Sequence, residues 1–227
     1  MSGFLSSSIG KKLIMSISGL FLILFLVVHL TVNLLLLLGS EAYNTAAHFM
    51  GTNPLITSIQ PILALGFLVH IVYAFILTAV NAKARPVKYE QVSQSHSSSL
   101  VSRQMLPLGL ALLLFLVLHM IHFFVKLKVT GEAPMIVMED GVEMHNTYLL
   151  VGSLFQMPLY AIMYIFAAIF LAMHLSHGFW SAFQTIGWSN EVWRGRLTWV
   201  GYAVAGLFGF GYAIVPLYFL IFQPITL

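Results

Sequence analysis

Residues 13–38 read LIMSISGLFLILFLVVHLTVNLLLLL, without one charged side chain. A helix needs about 20 mostly apolar residues to cross a hydrocarbon core of about 30 Å, so this stretch is long enough to span a bilayer. Lys11 and Lys12 precede it, as they would in a secretory leader. The apolar run is too long for a leader's core, however, and no small-residue cleavage site follows it. It reads as a retained helix. Four further stretches meet the same criterion, at 59–82, 105–127, 157–183 and 197–222. The expectation is an all-α membrane protein with five transmembrane helices in a single domain over residues 1–227.

Composition points the same way. Of 227 residues, 59% are hydrophobic and 7% charged, and the mean hydropathy is +0.94. Soluble globular chains carry about a quarter charged residues. So few charges leave too little polar surface to face water, which excludes a soluble enzyme, a disordered chain and a nucleic-acid binder despite a pI near 9.2. The chain has no cysteine. That removes disulfides, thiolate catalysis, iron–sulfur clusters within this chain and covalent haem attachment.

The basic residues orient the spans. Lys11 and Lys12 precede the first, Lys83, Arg85, Lys88 and Arg103 lie between the second and third, and Arg194 and Arg196 between the fourth and fifth. Glu90 and Glu191 are the acids on that side. The other side carries Lys126 and Lys128 against Glu41, Glu132, Glu139, Asp140 and Glu143. The N-terminus is therefore expected in the cytoplasm and the C-terminus outside. Residues 92–102 read as a polar cytoplasmic loop and residues 130–146 as an acidic external one.

Six histidines fall within the spans: His29, His70, His119, His122, His174 and His177. An ionisable ring in hydrocarbon is costly and marks function by default. The plain alternative, a hydrogen bond that glues two helices, suits any single histidine better than a set spread over four helices. No Asp, Glu, Lys or Arg lies deep in a span to partner them. Their depths sort them into levels. At 1.5 Å per residue, His29 is about 25 Å beyond Lys12 and His119 about 24 Å beyond Arg103, both on outward-running helices. His70 is about 20 Å from Lys83 and His174 about 15 Å from Gln184, on inward-running ones. The pairs expected are His29 with His119 and His70 with His174.

Two imidazole pairs in an apolar bundle suit bis-histidine ligation of two b-type haems, each clamped between facing helices. The expected architecture is a four-helix haem-binding bundle plus a fifth helix. A second chemistry fits the spacings His119-Met-Ile-His122 and His174-Leu-Ser-His177, whose rings lie three residues apart on one helical face. Such pairs suit a histidine-lined metal-ion transporter, although a metal path would also recruit membrane carboxylates.

The chain resembles, over essentially its whole length, the five-helix, single-subunit dihaem cytochrome b anchors of succinate:quinone oxidoreductases, the succinate dehydrogenases and fumarate reductases. The likeness rests on Ser18-Gly19-Leu20 followed by Val28-His29-Leu30, on Leu68-Val69-His70, on Val117-Leu118-His119-Met120, and above all on His174-x-x-x-Gly178-Phe179-Trp180-Ser181. The last pattern favours His174 over His177 as the iron ligand, with Gly178 admitting the ring closely. Other b-type cytochromes, of the bc kind, place two ligands on each of two helices about one haem-to-haem spacing apart. The same-helix pairs here are three residues apart.

The resemblance implies two haems b, His29, His70, His119 and His174 as axial ligands, and a quinone, with menaquinone favoured, as substrate. It implies a flavoprotein subunit carrying FAD and the dicarboxylate site, and an iron–sulfur subunit, both on the cytoplasmic face of a bacterial inner membrane. The dicarboxylate chemistry would lie in those partners. Some members carry a glutamate two residues before the fourth-span ligand, proposed to move protons; here Ala172 stands there. Glu41 and His48, in the expected loop after the first span, are the nearest candidates for a quinone-side acid and its partner.

Overall fold

The computed structural model describes residues 7–83, 104–138, 141–188 and 190–222. Helix α1 (Ser8–Leu34) begins at Ser7, whose hydroxyl oxygen accepts from the Gly10 amide. It tightens into a 3₁₀ turn, Leu35–Leu38, and stops at Gly39. Gly39 has φ 115°, a backbone region that residues with a Cβ avoid. The chain then re-forms as α2 (Ser40–Thr52) and α3 (Pro54–Lys83). Asn53 caps α3 by accepting from the Leu55 amide, and Pro54 fills the first turn, where a missing N–H costs nothing. Helix α4 (Met105–His119) passes directly into a π-helical segment, Met120–Val129. Strands β1 (Met135–Val137) and β2 (Glu143–His145) pair antiparallel, with Ile136 opposite Met144. Helices α5 (Thr147–Phe155), α6 (Pro158–Thr185) and α7 (Glu191–Ile221) complete the order.

Five segments are long and apolar enough to cross a membrane: Ser8–Leu38, Pro54–Lys83, Met105–Val129, Pro158–Thr185 and Glu191–Ile221. The protein is an all-α multi-pass membrane protein in its architecture. Most spans outrun the sequence windows because polar capping residues, Ser7, Asn53 and Asn190, start the helices before the apolar run begins.

Two connecting segments differ from expectation. Residues 40–52 form α2 rather than a loop, so Glu41 and His48 are helical residues. A short amphipathic helix carries no long apolar run, and a search for spans passes over it. The segment 130–146, expected as an external loop, is not irregular throughout either, since it holds the β1–β2 hairpin. Helix α5 follows at once and ends before Pro158 opens α6. Arg85, Lys88, Glu90, Arg103, Glu139, Asp140 and the 92–102 segment lie outside the described residues.

Close packing of small residues holds the spans together, as expected where lipid removes the hydrophobic drive between helices. Helices α6 and α7 pack most extensively. A Cβ added at Gly209 of α7 would stand 2.8 Å from the Ala172 Cβ of α6, and one at Gly201 3.5 Å from Phe179. These contacts run in opposite sequence directions, so the two helices are antiparallel. Gly66 of α3 lies against the Phe21 ring of α1, and Gly19 of α1 against His70 of α3, which makes that pair antiparallel too. Helix α1 also meets α6 and α7. The fifth span is therefore part of the core: Phe208, Val215 and Phe219 of α7 are each about 2% exposed or less.

A polar knot ties the short helices together at one end of the bundle. Asn44 of α2, 1% exposed, accepts from the Thr147 hydroxyl at 2.9 Å and from the Tyr148 amide at 2.8 Å. Its Nδ2 donates to Asn146 Oδ1, which also accepts from the Leu149 amide. The first-turn amides of α5, which have no intrahelical partner, are capped partly from another helix.

Candidate functional site

The histidines inside the spans stand in two pairs. His29 on α1 and His119, the last residue of α4, have ring centroids 5.7 Å apart and planes crossed at 85°. His70 on α3 and His174 on α6 have centroids 6.4 Å apart and planes crossed at 72°. Ser18 touches His70, and His29 lies eleven residues further along the same helix. The two pairs are thus offset by about 16 Å along the α1 axis.

Aromatic rings wall the first pair. Phe25 stacks on His29 at 5.2 Å, Phe115 and Phe123 flank His119 at 5.7 and 5.1 Å, and Tyr212 of α7 lies 5.8 Å from His29. The Tyr212 hydroxyl donates to the Leu26 carbonyl at 2.8 Å, which pins its ring beside α1. Ser18 and Gly19 line the second pair.

His122 and His177 do not join these pairs. His122 shares a hydrogen bond with the Tyr164 hydroxyl at 3.0 Å. His177 lies edge-on to Trp180 of its own helix. The π-helical winding that starts at Met120 changes the angle between successive residues, so His119 and His122 do not hold the relation that an α-helical spacing implies. Among the described residues, no group of three or more His, Asp or Glu converges to hold a metal ion.

The pairs fit an axially ligated haem. Two imidazoles bound to one metal from opposite sides, each through a bond of about 2 Å, hold their ring centroids about 6 Å apart. Both observed separations lie near that value. Among the described residues, no hydrogen-bond partner reaches the buried Nδ1 of His119 or of His174. A Cβ at Gly178, one turn past His174, would meet no protein atom within 4 Å, so protein packing does not require glycine there. Helix α3, which carries His70, has no fully buried residue.

Glu41 and His48 face different spaces. Glu41 lines an open groove of about 610 Å³ with Leu38, Thr45 and Phe49. His48 lines a separate cavity of about 90 Å³ with Lys128 and His145. On the same helix, burial raises the Tyr43 phenol to about 12. Ala172 packs against α7 at Gly209.

Sequence reasoning did not single out Ser18 as a contact of His70, or Tyr164 and Tyr212 as neighbours of the His29–His119 pair. Ser18 entered only within Ser18-Gly19-Leu20, and nothing in the sequence shows which neighbour it faces. The chain matches no family model, no curated protein and no solved structure.

Proposed function

We propose that the chain is the dihaem cytochrome b subunit and membrane anchor of a succinate:quinone oxidoreductase. The observation that carries this reading is that intramembrane histidines on four helices stand as two separate pairs of crossed imidazoles, with centroids 5.7 and 6.4 Å apart. A bare metal ion would want about four protein ligands. Two opposed imidazoles suit a cofactor that brings its own equatorial nitrogens. His29 with His119, and His70 with His174, would hold two haems b through their iron.

When bound, the haems would supply one-electron transfer between an iron–sulfur partner and a membrane quinone. The chain's own part is to orient and insulate. Phe25, Phe115 and Phe123 keep water from the His29–His119 pair, and the Gly209–Ala172 contact holds the helix bearing His174 against α7. Glu41 is the titratable group on the open face of α2 that it shares with Thr45 and Phe49. We assign it as the quinone-side candidate ahead of His48.

The positive-inside pattern supports a cytoplasmic position for the end where α1 begins and α3 ends, and there a flavoprotein and an iron–sulfur subunit would dock. The test is purification from membranes. The expected result is two non-covalent haems b per chain, both extracted by acidic acetone, with a flavoprotein and an iron–sulfur protein co-purifying. One haem or none in a fully loaded preparation would overturn the four-ligand scheme.

A further inference from the structure

We propose that Ser18 and Gly19 of α1 form a positioning site for the His70 imidazole, fixing its tautomer and the lie of its ring. The proposal rests on the haem reading and goes beyond it by assigning a role to two residues that would not touch iron. Ser18 is 7% exposed. Its hydroxyl donates to the Met15 carbonyl at 3.0 Å, and the same oxygen lies 3.2 Å from His70 Nδ1.

A hydroxyl has one proton and two lone pairs. The Met15 carbonyl is also a hydrogen-bond partner of the His70 ring, so that carbonyl and, when its proton is turned to Met15, the Ser18 oxygen both face the ring as acceptors. In that arrangement Nδ1 carries the ring hydrogen and the Nε2 lone pair is left for a metal. Gly19 completes the seat. A Cβ there would stand 3.3 Å from His70 Cε1 and 3.7 Å from Nδ1, tight enough to force the ring to shift.

The seat distinguishes the two rings of the pair. His70 has a built partner at Nδ1, whereas His174 Nδ1 has none among the described residues. A hydrogen bond donated from the far nitrogen makes an imidazole a more basic ligand. It favours the oxidised iron and lowers that haem's potential relative to an unsupported ligand.

The experiment uses the intact complex. Redox titration and low-spin electron paramagnetic resonance are recorded for wild type, Ser18→Ala, Ser18→Thr and Gly19→Ala, with His70→Ala to identify the haem concerned. Ser18→Ala is expected to keep both haems, raise one midpoint potential and move one resonance, that of the haem missing in His70→Ala. Ser18→Thr, which keeps the hydroxyl, should restore wild-type values. Gly19→Ala should move the same resonance by displacing the ring.

Wild-type values for both haems in Ser18→Ala would overturn the proposal. So would a change confined to the haem that survives in His70→Ala. If Ser18→Ala does not assemble, Gly19→Ala decides, and an unchanged spectrum overturns the proposal. A wild-type complex without haem would instead overturn the underlying reading, before any substitution is compared.

Discussion

His119 is the last residue of α4, and the wider winding that follows separates its environment from that of His122. The consequence is testable residue by residue. On the proposed ligation, replacing His29 or His119 with alanine should remove one haem, and replacing His70 or His174 the other, taking the content from two per chain to one by pyridine haemochrome assay. His122→Ala breaks the bond to Tyr164 and His177→Ala removes an edge contact with Trp180. Both variants should keep two haems. Loss of a haem in His177→Ala but not in His174→Ala would move the fourth-span ligand by one turn.

Helices are joined here by contacts that polarity alone does not reveal. Asn44→Ala would strip the Tyr148 amide and the Thr147 hydroxyl of their shared acceptor. A buried donor left unsatisfied costs about 1–3 kcal/mol. The expected result is faster hydrogen exchange across α2 and the first turn of α5, with haem content unchanged because neither helix bears a span histidine. Packing between α6 and α7 predicts a contrast between two glycines. Gly209→Ala meets the Ala172 Cβ, which has no rotamer to escape into, and should cost about 1–3 kcal/mol of overpacking. Gly206→Ala meets nothing within 4 Å and should leave the melting temperature in detergent unchanged or slightly raised.

At the scale of the whole molecule, the absence of native cysteine makes orientation directly measurable. A cysteine at Lys128 should react with a membrane-impermeant maleimide added outside, and one at Lys83 only after permeabilisation. The reverse pattern would invert the topology and the electron path with it. The face around Lys83, Trp188 and Trp193 mixes basic and exposed aromatic groups, with the Arg196 guanidinium 5.3 Å from the Trp193 ring centroid. These residue types are enriched at protein interfaces. Cross-linking from Lys83 should therefore reach the proposed iron–sulfur subunit. Lys126, paired with Glu132 at 3.4 Å, and Lys128 should not reach it.

Span number and approximate bounds were legible in the sequence because the bilayer demands a minimum apolar length, and length is a one-dimensional property. The pairing of His29 with His119 and of His70 with His174 was expected from a fixed rise per residue, and those rings lie side by side. Rotation about the helix axis was not legible. Which face of α1 presents Ser18 to His70, how the π segment turns His122 toward Tyr164, and why Ala172 abuts Gly209 depend on how neighbouring helices interlock. Residues 40–52 and 147–155 were missed as helices because each is too short to show a span and draws its caps and burial from distant segments, as Asn44 does for α5. Sequence thus determined which segments are long and apolar enough to cross a membrane. Tertiary packing alone decided which side chains meet there, because contacts between helices are set by side-chain shape on both partners and not by the composition of either.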